Sequence, residues 1–212
     1  HDLRTPLTVL QGYTDFLEEY IPFSEKDDAK LLETNRMMAY YIKRLEDYVE
    51  VMNTIQKLED TPVKVQTISI DSFMKMLDDN MKSTAKEYGK DISIAKEANL
   101  QEVRGDISLI FRVLENVMRN ACHYSKNKVF VHLYVQNQLL SFEIIDDGVG
   151  FSPEALGKAL NPFYTSGQTG SAHFGLGLNI CKILCEKHGG SITISNMPDS
   201  GARVQFSFLL KK

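Results

Sequence analysis

The chain opens on a histidine followed directly by an acidic residue, a pair that can carry nucleophilic chemistry. The run reads His1-Asp2-Leu3-Arg4-Thr5-Pro6-Leu7. On a helix, His1 and Thr5 share a face, while Asp2 lies about 100° round the axis. Imidazole is a good nucleophile near neutral pH when a carboxylate orients it or takes its proton. A lone histidine is usually an ordinary surface or core residue, but this run precedes a helical repeat and predicts a reactive His1.

Two asparagines four residues apart form the second candidate site. Asn116 and Asn120 lie on the polar edge of an otherwise apolar helix that ends at His123 and Tyr124. Carboxamide oxygens suit Mg²⁺, which keeps some of its waters and bridges substrate phosphates. The alternative is a pair of ordinary surface asparagines.

The third candidate is the run Asp146-Asp147-Gly148-Val149-Gly150-Phe151, which directly follows a predicted strand. The Asp146 carboxylate can accept a hydrogen bond from an exocyclic amine such as that of adenine. Gly148 and Gly150 allow the backbone to lie close against a flat base. By itself the run could also be a hairpin turn, because Asp-Gly is a common turn sequence.

The fourth candidate is Gly175-Leu176-Gly177-Leu178, at the start of a predicted helix. Glycines at a helix start leave backbone N–H groups free to face a phosphate. The preceding segment, residues 163–175, is rich in Gly, Ser and Thr, and we expect a mobile lid that orders on nucleotide binding. A lone Gly-x-Gly is weak evidence for a phosphate site. The interpretation rests on the position of this motif after the other three in the chain.

The elements that position these motifs divide near Thr61-Pro62, giving domains 1–60 and 61–212. In the first domain, one apolar row repeats every seven residues: Leu31, Met38, Leu45 and Met52. Such a heptad pattern predicts a helical hairpin that pairs with a second copy in a dimeric four-helix bundle. The alternative is a hairpin that packs against the rest of its own chain.

After Pro62, strands and long helices mix without strict alternation, which predicts an α+β sandwich with helices on one face. Predicted helices are 71–88, 106–124, 176–188 and a short one from Pro153. Predicted strands are 65–70, 91–95, 129–135, 140–145, 191–195 and 203–210.

Composition excludes several classes of protein. The 212 residues are 43% hydrophobic and carry a net charge of −4 without a dense basic stripe, which argues against a nucleic-acid partner. No apolar run is long enough to span a bilayer. Cys181 and Cys185 are expected to be reduced, buried thiols. Because the chain begins at His1 without an initiator Met, we expect a fragment of a longer protein.

The four motifs in this order resemble the cytoplasmic kinase core of a bacterial two-component sensor histidine kinase. The resemblance covers nearly the whole chain. It implies a dimerisation and phosphoacceptor hairpin (1–60), followed by an ATP-binding domain (61–212) of the GHKL or Bergerat type shared with gyrase, Hsp90 and MutL. His1 would take the γ-phosphoryl group of ATP and pass it to an aspartate of a response regulator. Asp2 would be the acid–base partner, and Thr5 would help place water for dephosphorylating the regulator.

The resemblance also implies a ligand set. Asn120 and Asn116 would hold Mg²⁺ and phosphates, Asn120 being the better metal ligand, and Asp146 would read adenine. The remaining cofactor-binding candidates are His123, Tyr124, Gly148, Gly150, Phe163, Gly175, Leu176, Gly177 and Leu178. The ATP-hydrolysing relatives carry a glutamate at the position of Asn116, and asparagine cannot take a proton from water. This difference favours a kinase over an ATPase.

His123 departs from the family, since it replaces a phosphate-contacting lysine, and its contact should weaken as rising pH removes the imidazole charge.

Three functions remain open: a kinase that signals to a response regulator, an enzyme acting mainly as a phosphatase on that regulator, and a non-catalytic ATP-gated dimer. The resemblance implies a homodimer located in the cytoplasm and tethered to the cell membrane through a segment upstream of His1.

Overall fold

A computed structural model of the chain describes residues 4–20, 28–60, 62–97, 100–162, 164 and 176–210. The helices are α1 (Arg4–Tyr20), α2 (Asp28–Asp60), α3 (Ile70–Tyr88), α4 (Ile107–Tyr124), α5 (Pro153–Lys158) and α6 (Gly177–Lys187). The strands are β1 (Gln66–Ser69), β2 (Asp91–Glu97), β3 (Glu102–Gly105), β4 (Lys128–Gln136), β5 (Leu139–Asp146), β6 (Ile192–Asn196) and β7 (Ala202–Leu209). The chain divides into two compact units between Lys57 and Leu58.

The first unit contains α1 and most of α2, which pack against each other. The rings of Tyr13 on α1 and Tyr41 on α2 lie 6.3 Å apart, and Thr34 on α2 is buried. The predicted heptad row is half-buried at Leu31, Met38 and Leu45. Met52, the last member of that row, remains 49% exposed. The row is therefore covered along only part of its length within one chain.

The second unit is built on a five-stranded sheet in the order β2-β4-β5-β7-β6. Adjacent strands of this sheet run antiparallel, except for β2 and β4, which are parallel. Along β4, Val129, Val131 and Leu133 are buried while Phe130 is exposed, so one face of the sheet meets the core. Helices α3, α4 and α6 cover that face. This confirms the predicted α+β sandwich with helices on one face.

A separate two-stranded ladder joins β1 to β3. The sequence predicted β1 but not β3, a four-residue strand of which only Val103 and Gly105 are buried. The predicted β4–β5 hairpin is confirmed, and its turn uses left-handed backbone at Asn137 and Gln138.

Helix α4, which carries the asparagine pair, is fixed at its amino end by Asp106. Asp106 Oδ1 accepts the Leu109 backbone N–H at 3.2 Å, which caps the helix. Its Oδ2 accepts the Lys64 N–H at 2.8 Å. The Asp106 N–H in turn donates to Nε2 of the buried His188 at 3.0 Å. One residue therefore joins α4 to the segment before β1 and to the end of α6.

We predict that Asp106→Ala lowers the free energy of unfolding by about 1–2 kcal/mol, the usual cost of losing a side-chain cap. Asp106→Asn should lower the free energy of unfolding by less, because its carboxamide oxygen can still accept the Leu109 N–H. Urea unfolding of the three proteins measures both effects. Equal stability of Asp106→Ala and the unaltered protein would show that the cap contributes nothing.

Candidate functional site

The two asparagines of α4 face the amino end of α6. A Cβ placed on Gly177 would lie 3.7 Å from Asn116 Oδ1 and 3.9 Å from Asn120 Nδ2. Asn116 Nδ2 donates to the Arg112 carbonyl oxygen at 3.0 Å, which orients the amide and points Oδ1 away from its own helix turn. Both asparagines are half-buried. Two amide groups thus border the first turn of α6.

The amino end of α6 has no side-chain cap, because Leu176 at the cap position carries no polar group. Leucines 176 and 178 are both half-buried, and Leu178 packs against the core. The first N–H groups of a helix need acceptors from outside it, and the helix dipole favours an anion there. The arrangement therefore suits a phosphate bordered by two side-chain amides.

Asp146 ends β5 with its carboxylate turned inward and only 6% of the residue exposed. Its Oδ1 accepts the Gly148 N–H at 2.8 Å and the Ala202 N–H at 3.2 Å. Burial raises the pKa of Asp146, and the charge of Asp147 adds to the rise, while the two N–H donors oppose it. The result is a fixed, desolvated hydrogen-bond acceptor at the end of a central strand.

The turn after β5 is joined directly to the carboxyl end of α4. The Asp147 carboxylate accepts the N–H groups of Lys126 at 2.8 Å and Asn127 at 3.0 Å. Partial burial would raise the pKa of Asp147, but these backbone donors outweigh it and the pKa lies below its usual value. Gly148 lies against the Tyr124 carbonyl oxygen so closely that no Cβ would fit. The end of α4 and the Asp146–Gly148 turn therefore form one rigid piece.

Lys90 reinforces this junction from the turn between α3 and β2. Its Nζ donates to the carbonyl oxygens of Ser125 at 2.8 Å and Lys126 at 2.9 Å. A cation at a helix carboxyl end also offsets the negative end of the helix dipole. The position of the last turn of α4 is thus set by Lys90 and Asp147 together.

The other candidate residues from the sequence are placed as follows. The rings of His123 and Tyr124 meet edge to face with centroids 4.8 Å apart, and both side chains are exposed. Thr5 lies on α1, and its side chain is outside the described part of the structure. His1, Asp2, Phe163 and Gly175 lie outside the described residues, as does the expected lid apart from Tyr164.

Sequence reasoning missed Asn196, at the end of β6. Its amide makes two hydrogen bonds to the backbone of Phe151. The only signal was an asparagine at a strand end before a Pro-Asp-Ser-Gly turn, and nothing in it indicated a partner 45 residues away.

The three cysteine thiols lie in the core and take no part in the candidate site. Cys122, Cys181 and Cys185 are free and buried, as predicted for the last two. Burial raises the pKa of Cys122 to about 11 and that of Cys181 to about 12, which makes these thiols unreactive. Among the described residues, no three His, Cys, Asp or Glu side chains converge as a metal site. None of the described helices is both long and apolar enough to cross a bilayer.

Comparison with known proteins decides the family. Residues 105–212, which contain α4, the Asp146 turn and α6, match the family described as histidine kinase-, DNA gyrase B-, and HSP90-like ATPase. The chain belongs to this family.

Curated relatives narrow the assignment within it. The chain is 30% identical over 217 residues to the nisin biosynthesis sensor protein NisK of Lactococcus lactis subsp. lactis, covering 96% of this chain and 46% of that protein. It is 28% identical over 207 residues to the sensor histidine kinase CpxA of Escherichia coli K12, covering 96% and 44%. The chain is similar to these bacterial sensor proteins over nearly its whole length, and it spans a little under half the length of each.

Solved structures share the fold of this chain. The chain resembles the histidine kinase AdeS of Acinetobacter baumannii with a TM-score of 0.59 and 21% identity, over 100% of this chain and 98% of that one. It resembles full-length ShkA in complex with AMPPNP with a TM-score of 0.64 and 20% identity, over 98% and 44%. At these identities the likeness supports the shared fold.

The buried Asp146 predicts a pH-dependent stability difference. Its folded pKa is raised, so the stability that it contributes is present below its unfolded pKa, about 3.8, and is lost as the pH rises through the folded value. Asp146→Asn keeps an acceptor for Gly148 and Ala202 but carries no charge. As the pH rises from 4 to 7, the free energy of unfolding of the variant should therefore increase relative to that of the unaltered protein.

Urea unfolding at several pH values measures this difference. Asp199→Asn, which removes one carboxylate from the exposed turn between β6 and β7, is the matched control. A constant difference for Asp146→Asn across the range would contradict the raised pKa.

Proposed function

We propose that this kinase core transfers the γ-phosphoryl group of ATP to His1 and then to an aspartate of a response regulator. The observation that carries the proposal is the convergence of Asn116 and Asn120 on the uncapped start of α6 at Gly177. That arrangement suits a metal-bound triphosphate, and the family membership supports the same ligand. The buried carboxylate of Asp146 supports recognition of the base.

In this proposal the Asp146 carboxylate accepts a hydrogen bond from the exocyclic amine of adenine. Both of its described hydrogen bonds end on Oδ1, so we assign Oδ2 to the amine. Gly148 and Gly150 line the base, and His123 and Tyr124 stand at the exposed rim of α4. Asn120 and Asn116 would hold Mg²⁺ through their amide oxygens, and the cation would supply charge neutralisation for the phosphates. Leu176, Gly177 and Leu178 present backbone N–H groups to the phosphates, and the resemblance assigns Gly175 and Phe163 to the nucleotide as well.

Phosphoryl transfer to His1 is an in-line displacement. The imidazole nitrogen of His1 forms a bond to the γ-phosphorus, and the bond from that phosphorus to the β,γ-bridging oxygen breaks, releasing ADP. The proton on the imidazole passes to the Asp2 carboxylate. The phosphoryl group then moves to a carboxylate oxygen of the regulator's aspartate, and His1 is regenerated. Thr5 would orient water when the regulator's acyl phosphate is hydrolysed.

The site favours transfer over hydrolysis of ATP. Hydrolysis needs a base near the γ-phosphate, and the asparagine at 116 cannot accept a proton from water. Its Nδ2 is already engaged with the Arg112 carbonyl oxygen. Catalysis by such a site rests on positioning and charge neutralisation, so ATP persists until a histidine is delivered.

The proposed assembly is a homodimer formed through the helices of residues 1–60. Met52 is half exposed in one chain although it belongs to the heptad row, which fits a position covered by a second copy. The response regulator is the proposed macromolecular partner. We propose that the kinase core works in the cytoplasm and is tied to the membrane through sequence upstream of His1.

The direct test is incubation with γ-labelled ATP and Mg²⁺, using the chain extended upstream of His1. We expect label that is acid-labile and base-stable, as a phosphohistidine is, and its absence from the matched His1→Gln variant. Unchanged labelling of His1→Gln would overturn the assignment of His1. ATP binding without any label would favour the binding-only dimer.

Transfer to a purified receiver domain then separates kinase from phosphatase. Label that moves from the kinase core to the receiver supports the signalling kinase. A core that labels poorly but speeds the loss of label from a phosphorylated receiver would favour the phosphatase.

A further inference from the structure

Asn196, the last residue of β6, clamps the backbone of Phe151 at two points. Its Oδ1 accepts the Phe151 N–H at 2.7 Å, and its Nδ2 donates to the Phe151 carbonyl oxygen at 2.8 Å. The side-chain amide thus imitates a neighbouring strand, which exchanges the same pair of bonds. Two short bonds in opposite directions fix both the place and the orientation of the Phe151 backbone.

Gly150 packs directly on this amide. Its φ is +79°, a backbone conformation that favours glycine. A Cβ there would lie 2.7 Å from Asn196 Oδ1 and 3.0 Å from its Cγ. The segment Gly150–Phe151 is therefore held against the asparagine by close packing as well as by hydrogen bonds.

The clamp also ties this segment to the residue assigned to adenine. Asn196 is paired with Ala202 across the β6–β7 ladder, and the Ala202 N–H donates to Asp146 Oδ1 at 3.2 Å. The strand end that holds Phe151 therefore also holds Asp146. One hairpin sets both ends of the run from Asp146 to Phe151.

We infer that Asn196 is a positioning residue for nucleotide binding, which fixes the Gly150–Phe151 side of the adenine pocket. The inference rests on the proposed function. Position 196 requires an amide, because the side chain must accept one hydrogen bond and donate the other. An ionised carboxylate of the same shape would keep the first bond and place an oxygen against the Phe151 carbonyl oxygen.

The test is the affinity of Asn196→Asp for ATP, measured by calorimetric titration between pH 4 and pH 8. At pH 8 the dissociation constant should rise about tenfold, as expected when one hydrogen bond is replaced by a repulsive contact. The ordinary pKa of an aspartate side chain is about 3.9, and protonation of the new carboxyl group restores a donor. The ratio of variant to unaltered constants should therefore shrink as the pH falls to 4. A merely structural defect would not follow the protonation of this group.

Two further variants bracket the result. Asn196→Ala should weaken ATP binding by a ratio that does not shrink as the pH falls to 4, because alanine cannot regain the donor. Asn137→Asp, in the turn between β4 and β5, is the matched control and should bind ATP as the unaltered protein does. Urea unfolding of each variant verifies that it is folded.

The outcomes separate the two proposals. If the unaltered protein binds ATP and Asn196→Asp binds it equally well, or weakens it by the same ratio at every pH, the role of Asn196 is wrong and the proposed function stands. If the unaltered folded protein does not bind ATP, the proposed function fails and the inference fails with it.

Discussion

The buried carboxylate of Asp146 is the constraint on which the site depends. A desolvated charge is tolerated only where donors meet it, and here two backbone N–H groups from different segments converge on one oxygen. Gly148 supplies the first donor and lies against the Tyr124 carbonyl oxygen at the end of α4. Ala202 supplies the second and begins β7. Satisfying one carboxylate therefore brings α4, the turn after β5 and the β6–β7 hairpin together.

Helix α4 links Asp146 to the other end of the candidate site, at the start of α6. The apolar face of α4 is buried in the core, so its polar edge is left to present Asn116 and Asn120 at the start of α6. Asp106 fixes one end of the helix, while Lys90 and Asp147 fix the other. With both ends held, the distance between the Asp146 carboxylate and these two amides is set by the fold before any ligand arrives. Such preorganisation is what a transfer reaction that relies on positioning requires.

Local patterns in the sequence predicted much of this unit. The apolar spacing of α4 and its Asp106 cap are readable because they depend on neighbours within four residues, and the Asp-Gly run marks the end of β5 for the same reason. The parallel pairing of β2 with β4, the short strand β3 and the Asn196 clamp were not predictable. Each depends on partners more than 30 residues away, and no local periodicity encodes them. The roles of His1, Asp2 and Thr5 rest on motif resemblance, because their side chains lie outside the described structure.

The proposed role of Asp146 as a fixed acceptor for the exocyclic amine of adenine can be tested with a second nucleotide. The measurement compares the affinity of the unaltered protein for ATP with that for inosine triphosphate, in which a carbonyl oxygen replaces this amine. Inosine triphosphate should bind at least about tenfold more weakly, because a buried acceptor would face another acceptor. Equal affinity for the two nucleotides would contradict the assignment of Asp146 and, with it, the orientation of the nucleotide in the site.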